Sequence, residues 1–248
     1  MRCNAVASAM CRRKNSQRMK LPKKDLFDVP VLALLAANAV PLFGVVFLGW
    51  DAFYIVLLYW TENVVIGFYN VLKIALAAAP NPAAHLGKLF LIPFFMVHYG
   101  GFTAVHGFFV LALFHKGQGP PTGGMNWPCC LVFVQMLFNV IGYMYLIIPP
   151  QVRMAVLALF ASHGVSFVQN YLLKGEYAAA KPNELMGSPY GRVVVMHVAI
   201  IAGGFLTMAI GSPAPLLAVL IALKTILDVN LHNREHKKAA SRRCVAGP

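Results

Sequence analysis

Apolar residues run in long blocks along this chain, and short polar breaks separate them. The block from Ala52 to Ala79 (AFYIVLLYWTENVVIGFYNVLKIALAAA) is the clearest. About 20 apolar residues at 1.5 Å rise cross ~30 Å of hydrocarbon, so a block of this length predicts a membrane span. The same pattern predicts spans over Pro30–Leu48, Leu89–Phe114, Cys129–Ile148, Met154–Leu173, Arg192–Ile210 and Pro215–Leu231. The breaks carry turn chemistry: Gly49-Trp50-Asp51, Pro80-Asn81-Pro82, Pro149-Pro150 and Gly211-Ser212-Pro213. His115–Trp127 reads as a Gly/Pro-rich surface connector, because it lacks the lysine and hydroxyl pair of a phosphate-binding loop. Residues 174–191 read as the longest internal polar loop. The fold class is all-α: a polytopic transmembrane helical bundle of six to seven spans over residues 30–232, between basic tails at 1–29 and 233–248 that are expected to be disordered.

Seven alternating crossings would put the two tails on opposite sides. The positive-inside rule asks for both inside. Six crossings with a re-entrant or interfacial segment is the alternative.

Composition sharpens this picture. The chain is 59% hydrophobic and 12% charged, with mean hydropathy +0.66. Soluble domains carry about 25% charged residues, so lipid must be the solvent for much of this surface. The net charge of +13 is concentrated: thirteen of the 21 Lys and Arg lie before residue 25 or after residue 231. Basic tails beside apolar spans set topology and meet anionic headgroups, so membrane lipid is the expected partner and nucleic acid is not. The tail at 1–29 has no apolar core and is no signal peptide; Met19 offers a second start, which would make residues 1–18 an extension. Cys3, Cys11, Cys129, Cys130 and Cys244 show no C-x-x-C spacing and are expected to be free thiols.

The candidate chemistry lies inside the spans. Glu62 sits mid-span and is the candidate catalytic carboxylate; insertion of such a group costs about 2.5–3.5 kcal/mol, so intramembrane ionisable groups are functional candidates by default. His98, His106, His163, His197, Asp228 and His232 are candidate metal ligands, because imidazole and carboxylate bind zinc and non-haem iron. If the spans alternate in direction, Glu62, His106, His163, His197, Asp228 and His232 share one half of the bilayer or its midplane. Asn63, Ser166, Asn170 and Lys224 would line the same space. His163, Ser166 and Asn170 stand at i, i+3 and i+7 on one helical stripe, and Lys224, Asp228 and His232 at i, i+4 and i+8 on another. A zinc or iron ion, a haem held by two histidines, and a proton relay all remain open. So do a solute carrier with these groups along its path, and a structural protein in which they tie helices together, Glu62 to Lys224 for example. Lys73 and Arg192 read as snorkelling cations near span ends.

The runs YWTENVVIGFYNVLKI (Tyr59–Ile74) and FFMVHYGGFTAVHGFF (Phe94–Phe109) resemble an uncharacterised bacterial membrane family, the domain of unknown function 6498. The segments around Ser162-His163, Pro189–Arg192, His197 and Lys224–His232 fit the same pattern. The resemblance covers about Pro30 to His232. It implies a multi-span α-helical protein, expected in the bacterial inner membrane, and it carries no activity, cofactor or catalytic residue.

Overall fold

The computed structural model describes residues 43, 46–78, 82–114, 124–212 and 215–226. Both tails, most of Pro30–Leu48, residues 115–123, Asp228 and His232 lie outside the described residues, and with them the expectations placed there. The compact unit described is Pro41–Leu223; Lys224–Ile226 belong to a second unit.

Among the described residues the fold is all helix. Helix α1 is Ala52–Leu76, α2 is Pro82–Phe114, and α3 is Val132–Ile147 after a 3-10 turn at Cys129–Leu131. Helix α4 is Pro150–Ser166 and continues as a π-helical stretch, Phe167–Leu173. The short helices α5 (Glu176–Ala179) and α6 (Pro182–Gly187) lead into α7 (Tyr190–Val198), a second π stretch (Ala199–Gly203) and α8 (Gly204–Ile210). Helix α9 is Pro215–Ile226. Five segments are long and apolar enough to span a membrane: Ala52–Leu76, His85–Leu113, Cys129–Ile147, Pro150–Leu173 and Pro182–Ile210; α9 is a shorter apolar helix.

Local signals explain the ends. Asp51 Oδ1 accepts from the Phe53 amide at 2.9 Å and caps α1. Pro150 and Pro182 open α4 and α6 at first-turn positions, where the missing N–H costs nothing. The last carbonyls of α1, at Ala75 and Ala77, are taken by the buried Lys88 ammonium. The 174–191 stretch is mostly helical rather than an open loop, so the final long segment begins at Pro182 and not at Arg192. Lys181 pairs with Glu184 at 2.9 Å in its first turn, which holds the lysine pKa above its ordinary value.

Helix α1 is the centre. It packs against α2, α4 and α6. Its span window is 39% buried, against 6% for Pro150–Leu173, which is exposed over most of its surface. The main cluster joins Val56, Leu57 and Trp60 of α1 with Val110 and Leu111 of α2, Val140 of α3 and Leu216 and Leu217 of α9. Gly107 allows a close approach in it: a Cβ there would lie 2.7 Å from both Trp60 and Val140.

Helix directions overturn the alternation assumed from sequence. Tyr99 meets Asn63 and Lys88 meets Ala75, so α1 and α2 are antiparallel. Gly101 faces Phe133 and Gly107 faces Val140, so α2 and α3 run the same way. His98 meets Tyr190 and His106 meets His197, so α7 is also parallel to α2. The chain must therefore regain the depth of the bundle between Phe114 and Cys129. The described part of that connection lies beside α3, where Gln135 accepts from the amides of Asn126 and Trp127 and donates to the Gly124 carbonyl.

A histidine ladder beside an apolar groove

Helices α2 and α7 meet through two polar rungs. In the first, His98 Nδ1 lies 2.7 Å from the Tyr190 hydroxyl. In the second, His106 Nε2 lies 3.0 Å from His197 Nδ1. The rungs follow from spacing on parallel helices: His98 and His106 are eight residues apart, Tyr190 and His197 seven, each about two turns and 11–12 Å of rise.

The second rung has a direction. His106 Nδ1 lies 2.6 Å from the Phe102 carbonyl oxygen. A carbonyl only accepts, so Nδ1 carries the hydrogen. In the uncharged pair His106 Nε2 is then bare, and His197 Nδ1–H donates to it. His197 Nε2 is left as an acceptor with no partner among the described residues. His106 is buried, whereas His197 is exposed to a cavity of about 650 Å³ between α2 and the α7–α8 segment, which His98, His106 and His197 all help to line. The π stretch Ala199–Gly203 begins two residues after His197, and such bulges are frequent at functional sites. It is fixed by contact: a Cβ on Gly203 would collide with the Leu216 backbone.

A second polar group lies about a turn and a half away along α7. Arg192 Nη1 donates to Glu62 Oε1 at 2.7 Å, with the side chains 31% and 17% exposed. Arg192 is thus an internal partner rather than a snorkelling cation, because α6 lengthens the span on its N-terminal side. Half-buried His163 of α4 lies within electrostatic reach of Glu62, Arg192 and Lys73, away from the groove. Tyr99 donates to the Asn63 carbonyl at 2.9 Å, and Trp60 Nε1 to the Thr103 carbonyl at 2.8 Å, both buried. Asn63 donates to Tyr59 of its own helix, and its Oδ1 is buried with no partner among the described residues.

The remaining candidates do not join this site. Ser166 and Asn170 hydrogen-bond each other at 3.2 Å, and Asn170 accepts from Lys174 at 2.7 Å. Lys224 is half-buried on α9. Among the described residues no three His, Cys, Asp or Glu side chains come together as a metal group would require. The one histidine pair turns its facing nitrogens on each other rather than toward a shared ion. The metal reading of His98, His106, His163 and His197 therefore finds no support. Cys129 and Cys130 are free thiols, as expected.

Sequence reasoning missed Tyr190, Lys88, Gln135 and the partnership of Arg192. The matched spacings of His98/His106 and Tyr190/His197 were the one signal that could have found the ladder.

A family model described as a family of unknown function (DUF6498) matches residues 20–244. No curated protein and no solved structure matches the chain.

Proposed function

Since the chain belongs to DUF6498, a family of unknown function, its chemistry must be argued from its own side chains, and we propose that His197 is an intramembrane acid–base group held in place by His106. The observation that supports this is the one-way series Phe102 C=O, His106, His197. An acid–base group works best when a second group fixes its tautomer and orientation, as in catalytic dyads and triads. Here a buried imidazole does so, and the bare nitrogen is offered to a cavity.

The same series argues against a through-membrane relay. A proton entering at His197 can be shared with His106, but beyond it lies a carbonyl, which accepts a hydrogen bond and passes nothing on. Protons therefore arrive and leave on the groove side. Glu62 is closed off by Arg192 and serves to hold α1 to α7.

Nitrogen NMR of histidine-labelled full-length protein in nanodiscs tests the reading. Above neutral pH, His106 and His197 should both appear as Nδ1–H tautomers, with a hydrogen-bond coupling between His197 Nδ1 and His106 Nε2. A His197 ring protonated on Nε2 with Nδ1 bare would overturn it.

A further inference from the structure

The groove before His197 also has a chemistry of its own. At about 650 Å³ it falls among pockets that hold small organic molecules, roughly 300–1,000 Å³. One wall is a ring stripe on α2: Phe94 stacks on His98 at 5.4 Å and 12°, and Phe102 meets His98 edge-on at 5.1 Å. The facing wall is aliphatic and aromatic, with Phe205 and Met208 of α8. Among the described residues no Lys or Arg lines it, so a phosphate or carboxylate headgroup would find no partner there, at high cost in hydrocarbon. The polar atoms on offer are imidazole nitrogens, and the one whose role is fixed, His197 Nε2, accepts.

We propose that this groove binds a membrane-dissolved phenol, an apolar ring with a hydrocarbon chain whose hydroxyl donates to His197 Nε2. The ring stripe supplies faces and edges for stacking, which favour an aromatic body over a plain alkyl chain. The hydroxyl matches the lone acceptor. The proposal rests on the tautomer assigned to His197 above, and extends it by naming the ligand class.

The test uses full-length protein in nanodiscs with 4-nonylphenol carrying a diazirine in its chain, beside the O-methyl ether of the same molecule. After irradiation, peptide mass spectrometry should place the phenol adduct within residues 197–210. The adduct should be at least tenfold stronger than that of the ether, and excess 4-nonylphenol should compete it away. Met208→Trp, which fills the groove without touching a histidine, should remove the adduct and leave the histidine NMR spectrum unchanged. Labelling confined to the groove but equal for phenol and ether overturns hydroxyl recognition. Labelling spread over lipid-facing Leu146 and Leu157 overturns the pocket while leaving the tautomer reading intact. Ready disulfide formation between two Met208→Cys copies in native membranes would make the groove an interface between chains, and also overturns the proposal.

Discussion

Removing one member of the Glu62–Arg192 pair should be costly, and removing both should be nearly tolerated. The two groups touch at 2.7 Å across α1 and α7, with the carboxylate 17% and the guanidinium 31% exposed. Unit charges about 4 Å apart at an effective dielectric near 20 attract by ~4 kcal/mol. Stranding one partner of a buried pair costs about 3–5 kcal/mol, and partial exposure lowers that to roughly 2–3 kcal/mol here. Glu62→Gln should cost more than Arg192→Met. It leaves a guanidinium that cannot give up its charge, whereas a stranded carboxylate can take a proton. The double variant should cost about 1 kcal/mol, against roughly 4–6 kcal/mol for the two single costs added, a coupling energy of at least ~3 kcal/mol. Unfolding in mixed micelles by added dodecyl sulfate, followed by tryptophan fluorescence, measures all four corners. The histidine NMR spectrum of the double variant should match the parent, because the pair ties helices together and does no acid–base work. Additivity within about 0.5 kcal/mol would show that the two charges do not depend on each other, and a changed His197 tautomer would show that the pair belongs to the acid–base site.

Other consequences follow from single contacts. Gly107→Ala drives a methyl to 2.7 Å from Trp60 and Val140 and should lower stability by about 1–3 kcal/mol in the same titration, whereas Gly142→Ala, with open space around it, should be near neutral. Lys88→Met strips the Ala75 and Ala77 carbonyls of their donor and should cost about 1–3 kcal/mol, with faster amide exchange in the last turn of α1. With Cys3, Cys11 and Cys244 changed to Ser, Cys129 and Cys130 should resist a polar maleimide in open membrane fragments, reached from both faces, while Ala180→Cys reacts, because the start of α3 lies level with the middle of α2. Equal rates would put that turn at the surface.

Much of the architecture was legible because lipid leaves a simple mark: an apolar block about 20 residues long. Four predicted spans reappear with small shifts. The fifth was misjudged at its start, since Pro182–Gly187 is polar in composition yet helical, opened by a proline after Lys181. That error put Arg192 at a span end and hid its partnership with Glu62. The stripe of His163, Ser166 and Asn170 lies apart from the histidine ladder. Ser166 and Asn170 still bond each other across the widening to π geometry that begins at Phe167, but their polar atoms are spent on each other and on Lys174 rather than on the groove. The histidine ladder lay beyond a one-dimensional reading, because it needs α2 and α7 to be parallel, and that depends on the return of chain between Phe114 and Cys129.

The placing of the described lysines bears on the charge conflict that seven alternating segments created. Lys73, Lys88, Lys174 and Lys181 all gather at one end of the bundle: Lys88 caps α1, Tyr171 donates to the Lys73 carbonyl, and the Ala78 amide donates to the Tyr177 carbonyl. At the other end, among the described residues, Arg153 is the lone Lys or Arg, bonded to the Ile148 carbonyl. Loop lysines and arginines mark the cytoplasmic side, so the lysine-bearing end is the one expected to face the cytoplasm. Helix α1 starts at the opposite end, and one crossing by Pro30–Leu48, as its hydropathy predicts, brings the N-terminal tail to the lysine end. Leu216 of α9 packs on Gly203, and Leu220 and Ile221 join the cluster of Met196 and Ala199, so α9 doubles back toward the lysine end as well. Both basic tails are then expected on the lysine-bearing side. Reporter fusions at either terminus should give a fluorescent green protein and an inactive alkaline phosphatase. An active phosphatase at one terminus alone would restore strict alternation and remove the parallel packing of α2 and α3, and with it the geometry that brings His106 to His197.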